Sequence, residues 1–337
     1  MSGLPRAQWA MELVLGLQAL FVKELEGVAV GVSFDESTWL RDEGRHGGGN
    51  RFSSGGNDFF DRASVNVSQI YYDDLPEKKL GSATALSTII HPRNPYAPSM
   101  HMHISWTEMK SGHGYWRMMA DLNPSIENES DTEAFRRCLQ RVAPAQYDEA
   151  SAQGDRYFYI PALGRHRGVA HFYLEGYSSD DAQEDRDLAR ALGRAAIEAY
   201  VTILRNGIVA HVDVSESDRA AQLAYHTLYF FQVLTLDRGT TSGLLVHDQN
   251  DLGIMGSLPS HVDRAMLASW RGRLPAPQWA LLDGLLDVLT EGVTSRVDDA
   301  VKVAIASVVR AHYHAYPEAI KLQATGGVTP PTVENHR

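Results

Sequence analysis

Within residues 86–124 the sequence places His91, Arg93, His101, His103 and Asp121 around two proline-containing turns and an alternating apolar/polar run. An imidazole can carry a proton near neutral pH, a guanidinium can grip a carboxylate through two parallel hydrogen bonds, and a carboxylate can hold either. Four such cations or imidazoles and one carboxylate in fewer than forty residues point to an active or binding cleft. His101 and His103 stand two apart on a predicted strand and so face one side, where with His91 or His171 they could hold a transition metal. In the other reading one lines the cleft and its neighbour is a hydrogen-bonded strand residue; no HExxH spacing fixes a ligand set. Asp237 and Arg238 are either site residues or an ion pair before a turn at Gly239, and Arg167 is either an anion contact or the partner of a carboxylate.

The elements that position these groups follow from periodicity. Residues 65–72, 83–90 and 100–107 have the β-branched content and alternation of strands, and 156–160, 169–174 and 228–236 are further candidates. Residues 129–142, 181–204, 262–273 and 277–316 read as helices, the last broken around Gly292. Residues 9–21 read as an amphipathic helix, because Glu12 and Gln18 interrupt the apolar run. Strands that do not alternate regularly with helices predict an α+β fold, a large mainly antiparallel sheet flanked by helices on both sides. The glycine-rich stretch 44–56 reads as turns, a mobile loop or an exposed hairpin connection; it has neither P-loop nor dinucleotide spacing. Residues 1–323 read as one catalytic domain with additional helices at 277–320, and 324–337 as a frayed tail. Leu281, Leu282, Leu285, Leu286 and Leu289 form a stripe that suits either core or a partner seam.

A chain of 337 residues that is 44% hydrophobic can bury a substantial core. Its formal charge of −11 argues against a general binder of nucleic acid or anionic membranes. A single cysteine, Cys138, excludes an internal disulfide and CxxC zinc patterns, which together with the absence of a secretory or membrane-spanning segment fits a cytoplasmic protein.

The motifs Ala63–Ser68, Ser87 with His91 through Pro98, His101, Ala120–Pro124, Tyr157–Tyr159, Arg167–Val169, Asp237–Thr240 with Gly243-Leu244, and Ser257–Pro259 occur in an order that resembles the oxygen-dependent coproporphyrinogen III oxidase family over about 47–259. The resemblance implies a homodimer built on a broad antiparallel sheet, a deep cleft for the tetrapyrrole, and molecular oxygen as co-substrate with no organic cofactor. The implied reaction is oxidative decarboxylation of two propionates to vinyl groups, giving protoporphyrinogen IX in haem biosynthesis. By motif position His101 is the implied acid/base residue, with Asp121 beneath the pyrrole nitrogens. Arg238 is taken with His101 and Asp121 as catalytic; Asp237, Arg93 and Arg167 are the implied contacts to substrate, Ser87 and His91 line the cleft, and His103, which departs from the family pattern, is a further substrate-binding candidate.

This chain departs from the family pattern at several points. Ser105, Leu163 and Gln249 stand where arginines are expected, Arg117-Met118-Met119 where glycines are, and Arg136 and Ala162 where two histidines proposed as metal ligands would be. Each lost charge-assisted contact weakens propionate recognition by about 1.5–3 kcal/mol. Two alternatives follow: an iron-, copper- or manganese-dependent oxygenase or decarboxylase with another substrate, using His91, His101 and His103, and a non-enzymatic tetrapyrrole-binding protein.

Overall fold

The computed structural model describes residues 3–328 and 333–334. The chain opens with helix α1 (Pro5–Glu26), followed by six strands: β1 (Asp35–Leu40), β2 (Gly47–Gly55), β3 (Phe60–Tyr71), β4 (Leu80–Pro92), β5 (Ser99–Met109) and β6 (Gly114–Asn123). Then come α2 (Glu129–Val142), α3 (Tyr147–Phe158), the two-residue strands β7 (Tyr159–Ile160) and β8 (Arg165–His166), and β9 (Ala170–Tyr177). The rest is α4 (Ala182–Ala210), α5 (Glu216–Thr235), α6 (Arg238–Val246), α7 (Asp251–Ile254), β10 (His261–Asp263), α8 (Arg264–Ser269), α9 (Gln278–Val288), β11 (Thr294–Arg296) and α10 (Asp299–Ala315). A seven-stranded antiparallel sheet in the order β1-β2-β3-β4-β5-β6-β9 forms the middle layer.

The alternating strands put Val65, Val67, Leu86, Met102, Ile104, Met118 and Leu122 on one face, where α1 and α4 cover them through Leu13, Leu17, Phe21, Ile197 and Val201. α4 is capped by Asp181, whose side chain accepts hydrogen bonds from the Gln183 and Glu184 amides. The opposite face is covered by α5 and the later helices, whose core joins Tyr229, Phe230, Leu234, Leu282, Leu285, Ile305 and Val309, with Ile89 reaching it from the sheet. The expected α+β architecture, helices on both faces of an antiparallel sheet, is therefore the one found.

Several local expectations are corrected. Residues 228–235 are helical, with Leu236 as C-cap: α5 is buried continuously from Tyr225 to Thr235, so its apolar run lacks the polar stripe that marks a surface helix. Residues 156–160 are mostly the end of α3, whose Tyr157 and Phe158 pack on β9 neighbours. The glycine-rich stretch is largely strand β2, because the backbones approach closely there; a Cβ at Gly47, where φ is +97°, would lie 2.0 Å from the Gln69 carbonyl oxygen. The expected helix at 262–273 begins in β10 and shrinks to α8, and the one at 277–316 is interrupted by β11. The leucine stripe of α9 is core: Leu281, Leu282 and Leu285 are fully buried. The start of the tail is packed, with Ala324 N–H donating to the Leu236 carbonyl and Arg156 to that of Gly326. The expectation for 329–332 and 335–337 lies outside the described residues.

Candidate active site

The face of the sheet turned away from α1 and α4 is the floor of a cavity of about 280 Å³. Register aligns its side chains in rows across the strands. One row is Ser64, Ile89, His101, Asp121 and His171; the next is Arg51, Asn66, Ser87, His103, Met119 and Tyr173; a third holds Ser68, Ala85, Ser105 and Arg117. Tyr157 of α3, Arg167 of the loop before β9, Tyr229 and Val233 of α5, and α6 with its flanking residues complete the walls.

In the first row Asp121 is fully buried and accepts from three side chains. His101 Nδ1 lies 3.0 Å from Oδ1, while Arg167 Nη2 at 2.7 Å and Asn123 Nδ2 at 2.6 Å donate to Oδ2. Burial alone would raise the Asp121 carboxyl, but Arg167 and then His101 and Asn123 outweigh it and hold it well below the usual carboxylate range. An ionised carboxylate only accepts, so the His101 Nδ1 carries the hydrogen and Nε2 remains as the basic nitrogen of a residue that lines the cavity. Arg167 is fixed on its other side by Gln232 Oε1 at 2.8 Å and lies over the rings of Phe158 and Tyr229. Its loop turns at Gly168, φ +80°, where a Cβ would lie 2.7 Å from Asn123 Oδ1, so glycine is required.

At the other end of the cleft Arg117 and Arg238 share one buried carboxylate, Glu175. Arg117 Nε donates to Glu175 Oε1 at 2.7 Å, while Arg238 and the Tyr173 hydroxyl both hydrogen-bond Oε2. Asp237 and Arg238 do not pair with each other. Asp237 caps α6 by accepting from the Thr240 amide at 2.7 Å and takes the Tyr157 hydroxyl at 2.8 Å. His103 hydrogen-bonds Ser105 Oγ at 3.0 Å, and burial, followed by Arg117 and His101, keeps it neutral by lowering its pKa well below the ordinary value.

His101, His103, Ser87, Arg167, Asp237 and Arg238 thus meet at one cavity, and three expectations change. Arg93 is exposed in the β4–β5 turn and does not line it. Asp121 is fully buried behind His101 and Arg167 and does not line the cavity. His91 does not join His101 and His103: its Nδ1 is bound to Ser99 Oγ at 2.9 Å and its Nε2 to the Ser257 carbonyl at 3.1 Å, beneath Tyr225 and Tyr229. Among the described residues no group of three or more His, Cys, Asp or Glu is placed to hold a metal, so the donor set does not fit the proposed ion. Sequence reading missed Glu175 and the charge role of Arg117. Arg117 shares the period-2 face of Met119 and Asp121, the one available signal; Glu175 follows three apolar or aromatic residues with nothing to mark it. Arg117 is also the register partner of Ser105, so the guanidinium expected on β5 is supplied from the neighbouring strand.

A carboxylate-held histidine on the floor of a cleft walled by guanidinium groups is an arrangement, in an α+β fold, that can take up a proton beside a bound anion. A family model described as coproporphyrinogen III oxidase matches residues 10–271. The chain is 30% identical over 308 residues to the oxygen-dependent coproporphyrinogen-III oxidase of Prochlorococcus marinus (strain MIT 9313), which covers 80% of this chain and 84% of that one. It is 28% identical over 307 residues to the mitochondrial oxygen-dependent coproporphyrinogen-III oxidase of Rattus norvegicus, covering 83% of this chain and 67% of that one. The chain belongs to the coproporphyrinogen III oxidase family. Helices α9 and α10 lie beyond the matched region. Among the described residues no helix is long and apolar enough to cross a membrane.

Proposed function

We propose that this protein catalyses the oxygen-dependent decarboxylation of coproporphyrinogen III, converting two propionate arms to vinyl groups, as a homodimer with no organic cofactor. For each arm, –CH2CH2COO⁻, one proton and O2 give –CH=CH2, CO2 and H2O2: two electrons leave the substrate and reduce oxygen. The observation that carries the reading is His101, held through Nδ1 by Asp121 with Nε2 left as the basic nitrogen, on the floor of the cleft in a chain of this family. His101 takes the proton lost from the carbon that becomes the vinyl group, and the Asp121 carboxylate stabilises the imidazolium so formed. Arg238 and Arg117 hold a carboxylate arm, while the fixed Arg167 keeps Asp121 ionised.

The test is anaerobic incubation of purified protein with coproporphyrinogen III, followed by admission of oxygen, with CO2 and the divinyl product followed by mass spectrometry. Repeated turnover is expected. Folded protein that releases no CO2 would overturn the assignment.

A further inference from the structure

At the β2 side of the cleft three cations gather with too few partners. Arg51 shares the cleft face with Asn66, its register partner, and its Nη1 lies 3.6 Å from where a Cβ on Gly256 would stand, beside Ser64, which lines the cavity; the three cations themselves stand just outside that lining. The Arg51 Nε is buried and has no hydrogen-bond partner; the Arg62 Nε is in the same state. Among the described residues Arg62 makes one long contact, from Nη2 to the Val297 carbonyl at 3.5 Å. Lys302, buried on α10, donates to Asp299 at 3.0 Å, and among the described residues Asp299 is the one carboxylate paired with the group. Asp298 is turned to its own helix, accepting from the Val301 amide, and Asp61 is taken by Ser260. Burial and then, beyond the Asp299 hydrogen bond, Arg62 and Arg51 act to lower the Lys302 ammonium, so the cations crowd one another. Both arginines are half-buried, but each keeps a buried Nε–H without an acceptor, and an anion beside them would supply one.

We propose that Arg51, Arg62 and Lys302 form an anion site for a carboxylate at the rim of the cleft. Its occupant is a carboxylate arm of the tetrapyrrole lying across β2–β5, an identity that rests on the function proposed above. The position suits this: β2 and β5 are three strand spacings apart, about 14 Å, so an arm held by Arg51 leaves the macrocycle over Ser87 and His103. Because Lys302 belongs to α10, the site also gives the helices beyond the matched region a part in substrate recognition.

The test compares binding of a free-acid porphyrin with that of its fully esterified counterpart, by fluorescence quenching, in wild type, Arg51→Met and Lys302→Met. Thermal shifts with inorganic phosphate are measured alongside. Each charge-assisted contact is worth about ten- to a hundred-fold in affinity. Arg51→Met and Lys302→Met are therefore expected to weaken free-acid binding at least ten-fold, leave the ester unchanged, and flatten the salt dependence. Arg51→Met removes no hydrogen bond, so an unchanged melting temperature is expected and a folding defect is readily recognised. Loss of the phosphate shift with porphyrin affinity intact would overturn the tetrapyrrole arm as occupant and leave a site for a free anion. No change in either would overturn the site. If wild type binds the acid through Arg51 yet releases no CO2, the decarboxylation fails and the anion site stands.

Discussion

Val67, Leu86, Ile104, Met118 and Leu174 are register partners across five strands, and so, one residue away on each, are Asn66, Ser87, His103, Met119 and Tyr173. The first row is fully or almost fully buried under α1 and α4; the second lies on the floor of the cleft or beside it. Side chains alternate across a strand, so two chemistries are carried on one backbone with no extra residues. The apolar face fixes the register, since a one-residue slip would turn every core residue outward and bury the histidines. The cleft face can then spend its positions on polar groups, and it does so at a cost in burial that only its internal ion pairs offset.

Asp121 is the place where site and core coincide, and its replacement gives the largest expected effects. Asp121→Asn keeps the shape but not the charge that holds His101 and Arg167, and turnover is expected to fall about a thousand-fold. Asp121→Ala further leaves the Arg167 guanidinium buried without its partner, costing about 3–5 kcal/mol in denaturant unfolding. Full activity in either variant would remove the assigned role. On the other face, Ile104→Ala empties space against Gly193 of α4 and is expected to cost about 2–4 kcal/mol. Its kcat per folded molecule should stay within about two-fold, because Ile104 points away from the cleft. A large kcat loss there would mean the two faces are mechanically coupled.

The packing of α5 against the cleft side of the sheet also carries acid sensitivity. Burial lowers His91 to about 3 and His226 to about 4, with their proximity adding to the effect on His91. For a base whose folded pKa is depressed, the unfolded chain takes up a proton below about 6.5 while the folded one does not. Stability is therefore full above pH 6.5 and falls toward pH 4, by about 1.4 kcal/mol per pH unit for each histidine. His226→Phe is expected to remove one proton from that slope. An unchanged acid limb would show that other groups carry it.

How much of this could be read in the sequence follows from the same two faces. Strands 65–72, 83–90 and 100–107 were legible because one buried face imposes alternation. α5 was not, since helices and sheet cover it on all sides and erase its periodicity. His101, Arg167 and Asp237 could be placed together by motif. Glu175 and Arg117 could not, because their significance is a contact between β6 and β9 that no local pattern announces. The three-histidine grouping failed because shared strand parity brings residues to one face without bringing them together: His91 is sealed off by α5.

Arg93 gives the smallest expected effect and the sharpest check on where the cleft ends. Its motif invites a role in binding propionate, yet its turn is drawn away from the cavity: Asn94 donates to the His211 carbonyl at 2.6 Å, Tyr96 stacks on His211 at 4.0 Å, and Arg93 donates its own amide to Phe59. The side chain is exposed and makes no ion pair among the described residues. Arg93→Ala is therefore expected to change kcat/KM by less than about two-fold and stability by no more than about 0.5 kcal/mol. A ten-fold rise in KM would place the substrate's carboxylate over the β4–β5 turn, at the end of the strands away from Arg117, and would move the rim of the cleft from the β2 side to that end.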